Sequence, residues 1–591
     1  MTYSLQWELD SIYAGGASSP QLKQELKQAE ELISKLRAML KEADALQYDR
    51  VVEQTRIVEE VLSILREADS FTACLMAQNM FDKEAVLLND RMKNLSASYT
   101  TVLTEYDRNL CDIENEQWER FLSQPELQPL AYNLNERRDL AKHKMAPELE
   151  ALAADLAIDG YHGWGDFYNT IVSRMTFTAE DGSELSAGQM SNRLDDRDRE
   201  KRGAAFEQWE KGWQEQADLL TDTLNHLSGF RLKLYQNRGW SSYLEEPLHM
   251  NRMSEKTLQA MWQAVEKGKQ LLIPYFKRKA KLLGVDKLQW HDVEAPLATA
   301  SSTMSFDEAA TFIIEQFGSF SSELADFAQE AFEKRWIEAE DRPGKRPGGF
   351  CTSLPRSKET RIFMTYSGTA SNVSTLAHEL GHAYHQHVMK DMPPLTQEYA
   401  MNVAETASTF AEMIVSDRAL QRAQSKEEKL ALVDDKIQRA VAFYMNIHAR
   451  FIFESAMYEK RAEGPLTTEA LNELMVAAQK EAFLDQLSLY HPHFWAAKLH
   501  FYLTDVPFYN FPYTFGYLFS AGIYKRALKE GSSFAASYDA LLQDTGRLQV
   551  EELAKKHLAV DLTKTDFWEE GASLVAEDVQ LFLTLTEEKL D

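Results

Sequence analysis

The stretch Val373–His385, which reads VSTLAHELGHAYH, is the most informative part of this chain of 591 residues. Its apolar residues recur every three or four positions, which predicts a helix with one buried face. Asn372 directly precedes the stretch and is predicted to cap that helix. Gly381 lies inside it, where a glycine costs about 1 kcal/mol relative to alanine unless a close neighbour needs the space.

The stretch contains the motif H-E-x-x-H as His378, Glu379 and His382. Residues four positions apart leave a helix from the same face, so both imidazoles can reach one metal ion at about 2.0–2.1 Å, the usual Zn–N distance. Glu379 lies beside them, where its carboxylate can take a proton from a water molecule at the metal. The motif predicts a zinc peptidase site. The alternative is a surface helix with solvated side chains, but flanking apolar residues favour burial.

A catalytic zinc site needs a third protein ligand and one open position. The next predicted helical stretch, 397–412, follows a turn at Pro393–Pro394 and contains Glu398, Glu405 and Glu412. Glu405 lies among small residues near an apolar stripe, which would let it approach the ion. Geometry alone leaves all three glutamates open, and a solvated Glu405 is the alternative.

Four segments resemble the oligoendopeptidase F group of the thimet-oligopeptidase-like (M3) zinc metallopeptidases. They are GGFC at 348–351, MTYSGT at 364–369, HELGHAYH at 378–385 and AETASTFAE at 404–412. The resemblance implies that Glu405 is the third ligand of one Zn²⁺ per chain. It also implies a mainly α, two-lobed fold that encloses a deep substrate channel, and cleavage of short peptides at internal bonds. It extends more weakly from about residue 100 to the C-terminus.

An aromatic segment near the C-terminus, 499–519, is expected to be mostly core. Hydroxyl and imidazole groups can nevertheless stabilise the oxyanion that forms when water attacks a peptide carbonyl. Relatives in the wider family use a histidine and tyrosines from this region in that way. The match on the Gly-Tyr pair points to Tyr517, whereas His500 and Tyr509 are weaker candidates because their spacing differs from the family's. Structural or exposed roles are expected for His385, His387, His491 and His493.

Composition excludes several classes of function. Asp and Glu outnumber Lys and Arg by 92 to 64, and the net charge of −28 argues against nucleic acid as a partner. The sequence has no apolar run of about 18 residues, so no membrane span is predicted. The N-terminus lacks the pattern of a signal peptide. Three widely spaced cysteines predict a reducing cytoplasm rather than a disulfide framework. The sequence does not set the oligomeric state.

Helical periodicity predicts three parts. Residues 1–115 are predicted to form an N-terminal helical bundle whose first helix starts at Pro20. Residues 116–185 continue as a helical connecting part that ends at a hairpin turn at Asp181–Gly182. Residues 186–591 are predicted to form the catalytic domain.

Two strands are predicted just before the metal helix, at Phe350–Leu354 and Arg361–Tyr366. A small sheet at this place would offer an edge strand to which an extended peptide substrate could add. A buried structural hairpin is the alternative interpretation.

Two other functions share the motif. A helical zinc carboxypeptidase would need to recognise a free C-terminus, and a non-catalytic peptide-binding protein would not need Glu379. The preferred prediction is a zinc endopeptidase whose partners are short peptide substrates.

Overall fold

The structure is a computed structural model and describes residues 2–179, 182–298 and 303–589. Within these ranges the chain is mainly helical with only short strands, which confirms the predicted fold class. None of the helices in these ranges has the length and apolar character needed to cross a membrane. The first five helices are α1 (Pro20–Met39), α2 (Tyr48–Gln78), α3 (Lys83–Asp112), α4 (Asn115–Leu122) and α5 (Ala131–Lys142).

Twenty-one further α-helices follow within the described residues. Those before the metal helix are α6 (Pro147–Ala157), α7 (Gly163–Arg174), α8 (Ala187–Arg193), α9 (Arg199–Arg238), α10 (Glu245–Met250), α11 (Glu255–Gly268), α12 (Ile273–Leu282), α13 (Phe306–Gly318) and α14 (Ser322–Glu333). The others are α15 (Ala370–Met389), α16 (Met401–Ala404), α17 (Thr406–Arg422), α18 (Lys426–Val441), α19 (Ile447–Glu463), α20 (Thr468–Ala482), α21 (Phe494–Ala497), α22 (Phe511–Glu530), α23 (Ala535–Asp544), α24 (Val550–Leu558), α25 (Asp566–Glu570) and α26 (Ala572–Leu585).

The described residues build two hydrophobic cores, one in each lobe. The first core takes its members between Trp7 and Leu134 and includes Leu354, Phe363 and Leu395 from later in the chain. The second core draws on residues from Ala157 to Phe582. Helices α4 and α5 contribute residues to the first core. The N-terminal lobe, when it is defined by this core, therefore extends past residue 115. The domain boundaries themselves stay a prediction.

The first lobe begins as its sequence pattern predicts. Helix α1 starts at Pro20, directly after Ser19 at the N-cap position. The apolar seam of α1 is buried against α2 and α3. Its buried members are Leu22, Leu26, Ala29, Ile33, Leu36 and Met39.

The strands are β1 (Phe177–Thr178), β2 (Glu184–Leu185), β3 (Leu288–Gln289), β4 (Ile337–Glu338), β5 (Phe350–Leu354), β6 (Glu359–Phe363) and β7 (Leu487–Leu489). Strands β1 and β2 pair antiparallel, as a hairpin requires. Asp181 of the predicted turn between them lies outside the described residues. Strands β3 and β7 pair in parallel.

The small sheet before the metal helix has the strand order β4-β6-β5, so β5 lies at its edge. The β5–β6 hairpin also joins the two lobes, since Leu354 and Phe363 are buried in the first core. Helix α2 contacts β5 directly, and Thr352 donates a hydrogen bond of 2.7 Å to Ser70. The hairpin is therefore both an edge and a packed structural element. Peptide addition to this edge stays a prediction.

The metal helix α15 begins earlier than predicted. Thr369 occupies its N-cap position, and its hydroxyl accepts a hydrogen bond of 3.2 Å from the Asn372 amide. The prediction of Asn372 as the cap was wrong by three residues. The Asn372 side chain has a different partner. It accepts a hydrogen bond of 2.8 Å from the Ser367 backbone amide and so stabilises the preceding loop.

Candidate metal centre

Close packing of α15 against α17 creates the site. An ideal Cβ on Gly381 would lie 2.5 Å from the Ala407 carbonyl oxygen and 2.6 Å from Ser408 Cα, which no side chain tolerates. Glycine at this position therefore allows the two helices to approach, which explains its place in a helix. The chain from 397 to 412 is not one helix as predicted, because α16 ends at Ala404 and α17 begins at Thr406. Glu405 occupies the break.

The three predicted metal ligands meet across this contact. Nε2 of His378 lies 3.3 Å from Oε2 of Glu405, and Nε2 of His382 lies 3.5 Å from the same oxygen. One donor atom from each residue lies within 4.8 Å of the other two. Among the described residues this is the one group of His, Cys, Asp and Glu with such a spacing.

The other two glutamates lie elsewhere. Glu398 is exposed. Oε2 of Glu412 lies 3.3 Å from Nδ1 of His378, the ring nitrogen that faces away from Glu405. A carboxylate at that nitrogen orients the imidazole and leaves Nε2 for a metal. Glu412 follows Glu405 by two helical turns, a spacing visible in the sequence, but its role as an orienting group depends on the observed ring geometry.

Glu412 is itself held in place. Arg439 forms an ion pair with its carboxylate, and the Ser374 hydroxyl donates a hydrogen bond of 2.9 Å to it. Arg439 comes from α18 and Ser374 from α15, so three helices fix this carboxylate behind His378. No pattern in the sequence marked these supporting residues.

The protonation states suit a cation. Burial lowers the pKa of His382 to about 4, which keeps its imidazole neutral and available as a ligand. Burial acts to raise the pKa of Glu405, but the hydrogen bond from His378 and the electrostatic attraction to both rings outweigh it and lower that pKa to about 2. The Ser408 hydroxyl donates a further hydrogen bond of 2.7 Å to Glu405. Neutral imidazoles and an ionised carboxylate are the forms that bind Zn²⁺, so the residues fit the ion.

Glu379 lies on α15 between the two histidines and is buried. Burial raises its pKa to about 7, and the charge of Glu405 acts in the same direction. An ideal Cβ on Gly349 would lie 3.6 Å from its carboxylate, so the residue just before the edge strand β5 adjoins this group. The start of β5 therefore lies next to this carboxylate.

Helix α22 closes the opposite side. An ideal Cβ on Gly516 would lie 2.9 Å from Cβ of Glu405, so a glycine lets α22 pack against this ligand. A cavity of about 290 Å³ lies between α15, α17, α18, α22 and α26, and Tyr513 and Tyr517 line it together with His378 and Glu405. Tyr517 also stacks on Phe443, with ring centroids 4.6 Å apart. Tyr513 was missed, although its spacing of four from Tyr517 places both rings on one helix face.

The two weaker aromatic candidates lie one step further from the ligands. The His500 ring is 5.3 Å from the Tyr509 ring and 6.1 Å from the Tyr513 ring, and the Tyr509 and Tyr513 rings are 5.5 Å apart. His500 and Tyr509 therefore contact Tyr513, which lines the cavity. Their roles stay predictions.

The remaining histidines of interest have other partners. His385 is buried, stacks on Tyr399 and lies 2.8 Å from the Thr545 hydroxyl. His387 packs against Phe327 with ring centroids 4.6 Å apart. His491 and His493 both contact the Glu210 carboxylate. These contacts give each of the four a partner outside the three metal ligands, although His385 lies near His382 on α15 and interacts with it electrostatically.

Comparison with known proteins identifies the family of the chain. The sequence model described as peptidase family M3 matches residues 193–574, which include every ligand candidate. The chain belongs to peptidase family M3. A second model, described as oligopeptidase F, matches residues 109–177.

Relatives align over nearly the whole chain, further than the predicted start near residue 100. The chain is 23% identical to oligopeptidase PepF of Bacillus subtilis, over 99% of this chain and 86% of that protein. It is 25% identical to an oligoendopeptidase F homolog of Lactococcus lactis, over 96% of this chain and 95% of that protein.

Solved structures share the fold. A crystal structure from Chlamydophila abortus has a TM-score of 0.84 at 19% identity and covers 99% of both chains. That of oligoendopeptidase-F from Enterococcus faecium has a TM-score of 0.69 at 19% identity, covering 96% of this chain and 98% of its own.

Proposed function

We propose that the chain is a zinc-dependent endopeptidase that hydrolyses internal bonds of short peptides. The observation that carries the proposal is the meeting of His378, His382 and Glu405 within 4.8 Å, beside Glu379, in a member of peptidase family M3. Three protein ligands leave one coordination position open, as a catalytic zinc site requires.

One Zn²⁺ bound there would act as a Lewis acid on the scissile carbonyl and activate a water molecule. Glu412 and Ser408 hold His378 and Glu405 in ligating orientation. Glu379 is the proposed general base, which takes the proton of the attacking water and delivers it to the leaving amine. Its place on α15 between the two histidines supports this role.

Hydroxyl groups on α22 are the proposed oxyanion donors. Tyr517 lines the cavity together with His378 and Glu405 and has no hydrogen-bond partner among the described residues. Tyr513 lines the same cavity four residues earlier. Tyr509 and His500 contact Tyr513 and are the outer members of this set.

The proposed substrate lies extended along β5, whose edge begins beside Glu379. Placement of the first lobe over the metal centre would leave a channel that admits a peptide and excludes a folded domain. We also place the activity in the cytoplasm, because the three cysteines are unpaired thiols, as expected in a reducing compartment.

The test separates metal binding from chemistry. Glu379→Gln keeps the side-chain shape but cannot accept the proton, so zinc should remain bound while turnover of an internally quenched peptide falls by roughly 10²–10⁴-fold. Zinc content and turnover are measured on the same preparation. More than a tenth of the wild-type rate in Glu379→Gln would contradict the role of the base.

A second assay separates endopeptidase from carboxypeptidase activity. A peptide with a blocked C-terminus is digested and its products are weighed by mass spectrometry. An endopeptidase releases an N-terminal and a C-terminal fragment of this peptide at any measurable rate, whereas a carboxypeptidase leaves the peptide whole.

A further inference from the structure

Glu454 is a buried carboxylate that the proposed mechanism does not use. It lies on α19, with 2% of its surface exposed. Within the described parts of the chain it forms no ion pair within 4.0 Å. Burial of a charged group is unfavourable unless hydrogen bonds compensate for the lost hydration. The hydrogen-bond donors around Glu454 therefore indicate what this carboxylate does.

Both oxygens of the Glu454 carboxylate contact one short loop. Oε1 accepts a hydrogen bond of 3.2 Å from the backbone N–H of Phe508, and Oε2 accepts one of 3.3 Å from the side-chain amide of Asn510. Tyr509 lies between these two residues, which are buried, and is itself partly exposed. Glu454 thus holds the chain on both sides of an outer oxyanion candidate.

The backbone conformation of Phe508 depends on such contacts. Its φ of 53° lies in the left-handed region, which residues with a side chain rarely adopt. A strained conformation persists only where the surrounding structure holds it, and residues of this kind cluster at functional sites. The hydrogen bond from the Phe508 N–H to Glu454 is one of the contacts that hold it.

A second buried charge holds the start of the same loop. Arg231, on α9, donates hydrogen bonds of 3.2 Å to the Leu503 carbonyl and of 3.4 Å to the Thr504 carbonyl. Burial raises the pKa of Glu454 to about 7, and the positive charge of Arg231 limits this rise, so the two groups interact. The loop 503–510 is therefore held near its beginning by a cation and near its end by an anion.

The end of this loop leads to the cavity of the metal centre. The ring of Tyr509 lies 5.5 Å from the ring of Tyr513, which lines that cavity. The Tyr513 backbone N–H donates a hydrogen bond of 3.1 Å to the Asn510 carbonyl, so both residues belong to the turn that starts α22. A shift of the residues that Glu454 holds would therefore displace both tyrosine hydroxyls.

We propose that Glu454 is a positioning residue that holds Tyr509 and Tyr513 in the geometry needed to stabilise the oxyanion. The inference rests on the proposed endopeptidase function and adds a residue that acts through the loop rather than on the substrate. Oxyanion donors are effective because they are already in place when charge develops. Their placement to within about 0.5 Å depends on hydrogen bonds behind them.

The experiment exchanges donor and acceptor at the contact between Glu454 and Asn510. Glu454→Gln can keep the hydrogen bond from Phe508 but turns a second N–H donor toward the Asn510 amide. We expect kcat to fall about 10–100-fold and KM to change less than about threefold, because hydrogen bonds to charged groups have this strength and the loss is confined to the transition state.

A second substitution in the same protein should rescue the first. Asn510→Asp supplies an acceptor for the new glutamine amide, so Glu454→Gln/Asn510→Asp should recover kcat to within about fivefold of the wild type. Asn510→Asp alone brings two carboxylates together and should lower kcat. Failure of the double variant to exceed Glu454→Gln, with both folded and loaded with zinc, would overturn the proposal.

Removal of the tyrosine hydroxyls shows whether Glu454 acts through them. In an enzyme that carries Tyr509→Phe and Tyr513→Phe, Glu454→Gln should lower kcat by no more than about threefold, because the groups that it positions are absent. The same loss in this background as in the wild type would overturn the proposal.

Asp434→Asn is the matched control for the loss of a buried carboxylate. Asp434 is buried and accepts hydrogen bonds from two neutral groups, of 2.7 Å from the Tyr275 hydroxyl and of 2.8 Å from the Gln438 amide. None of these three residues lines the metal cavity. The variant should lower stability and keep the wild-type kcat. An equal loss of kcat in Asp434→Asn and Glu454→Gln would show that both act through stability alone and would overturn the proposal.

Asn510→Ala tests the same contact if Glu454→Gln does not fold. It removes the amide donor from the loop and leaves the Glu454 carboxylate and its hydrogen bond from Phe508 in place. We expect a loss of kcat of about tenfold with unchanged zinc content. A wild-type kcat in Asn510→Ala would overturn the proposal.

Amide hydrogen exchange distinguishes failure of this proposal from failure of the proposed function. Exchange across 503–510 should be faster in Glu454→Gln, and it should match the wild type in the rescued double variant and in Asp434→Asn. Unchanged exchange in Glu454→Gln would reject the role of Glu454 in holding the loop. Faster exchange with a wild-type kcat would reject its role in catalysis. If the wild type cleaves no peptide, the endopeptidase assignment is wrong, and exchange still decides whether Glu454 holds the loop.

Discussion

Replacement of Gly381 by alanine tests whether helix packing sets the metal geometry. The new Cβ would lie 2.5 Å from the Ala407 carbonyl oxygen, whereas ordinary contact begins at 3.4 Å. Helices α15 and α17 must therefore separate by about 0.9 Å, the difference between these distances. Overpacking of this kind costs about 1–3 kcal/mol of folding free energy.

The same displacement carries Glu405 away from His378 and His382. Metal–ligand distances tolerate deviations of only about 0.2 Å, so we expect zinc affinity in Gly381→Ala to fall by at least about tenfold. Competition with a chelator measures the affinity, and denaturant unfolding of the metal-free protein measures the stability.

A matched variant separates this effect from the general cost of changing a helical glycine. Gly188 lies in α8, where an added Cβ would meet no atom within 4 Å. Gly188→Ala should therefore stabilise the protein by up to about 1 kcal/mol and leave zinc affinity unchanged. If Gly381→Ala retained wild-type zinc affinity and stability, the contact between α15 and α17 would not determine the site.

The remaining predictions concern the ligands, the oxyanion and substrate size. Glu405→Ala should lose most of its zinc by metal analysis while its circular dichroism stays helical; full occupancy would move the third ligand to Glu412. Tyr517→Phe should lower kcat by roughly 10²–10³-fold with little change in KM. Such a loss in Tyr509→Phe instead would show that the aromatic segment was matched wrongly. A cleavage sequence should be cut in a free peptide but not in a loop of a folded carrier; comparable rates would indicate an open site.

Local patterns in the sequence predicted the parts of the site that depend on neighbours along one helix. The i, i+4 spacing of His378 and His382 depends only on helix geometry, so it could be read without a fold. The start of α1 at Pro20 follows from the same kind of rule. The cap of α15 was misplaced because Ser, Thr and Asn near a helix start compete for that position, and the loop at Ser367 uses Asn372.

The choice among three glutamates needed more than spacing. The family resemblance pointed to Glu405, and the structure then showed why Glu412 is different: it faces Nδ1 of His378, whereas Glu405 faces Nε2. Which side of an imidazole a carboxylate meets depends on how two helices cross. The periodicity of the sequence does not specify the angle at which two helices cross.

The helical class and the paired imidazoles of H-E-x-x-H follow from residue type and short-range spacing, so both can be predicted from the chain alone. Which residues from distant segments share a cavity depends instead on how the helices pack. This packing brought Arg439 to Glu412 and Tyr513 to the cavity that His378 and Glu405 line. The physical reason is that burial and charge act through space, so the partners that set a pKa or hold a ligand are chosen by packing rather than by sequence distance.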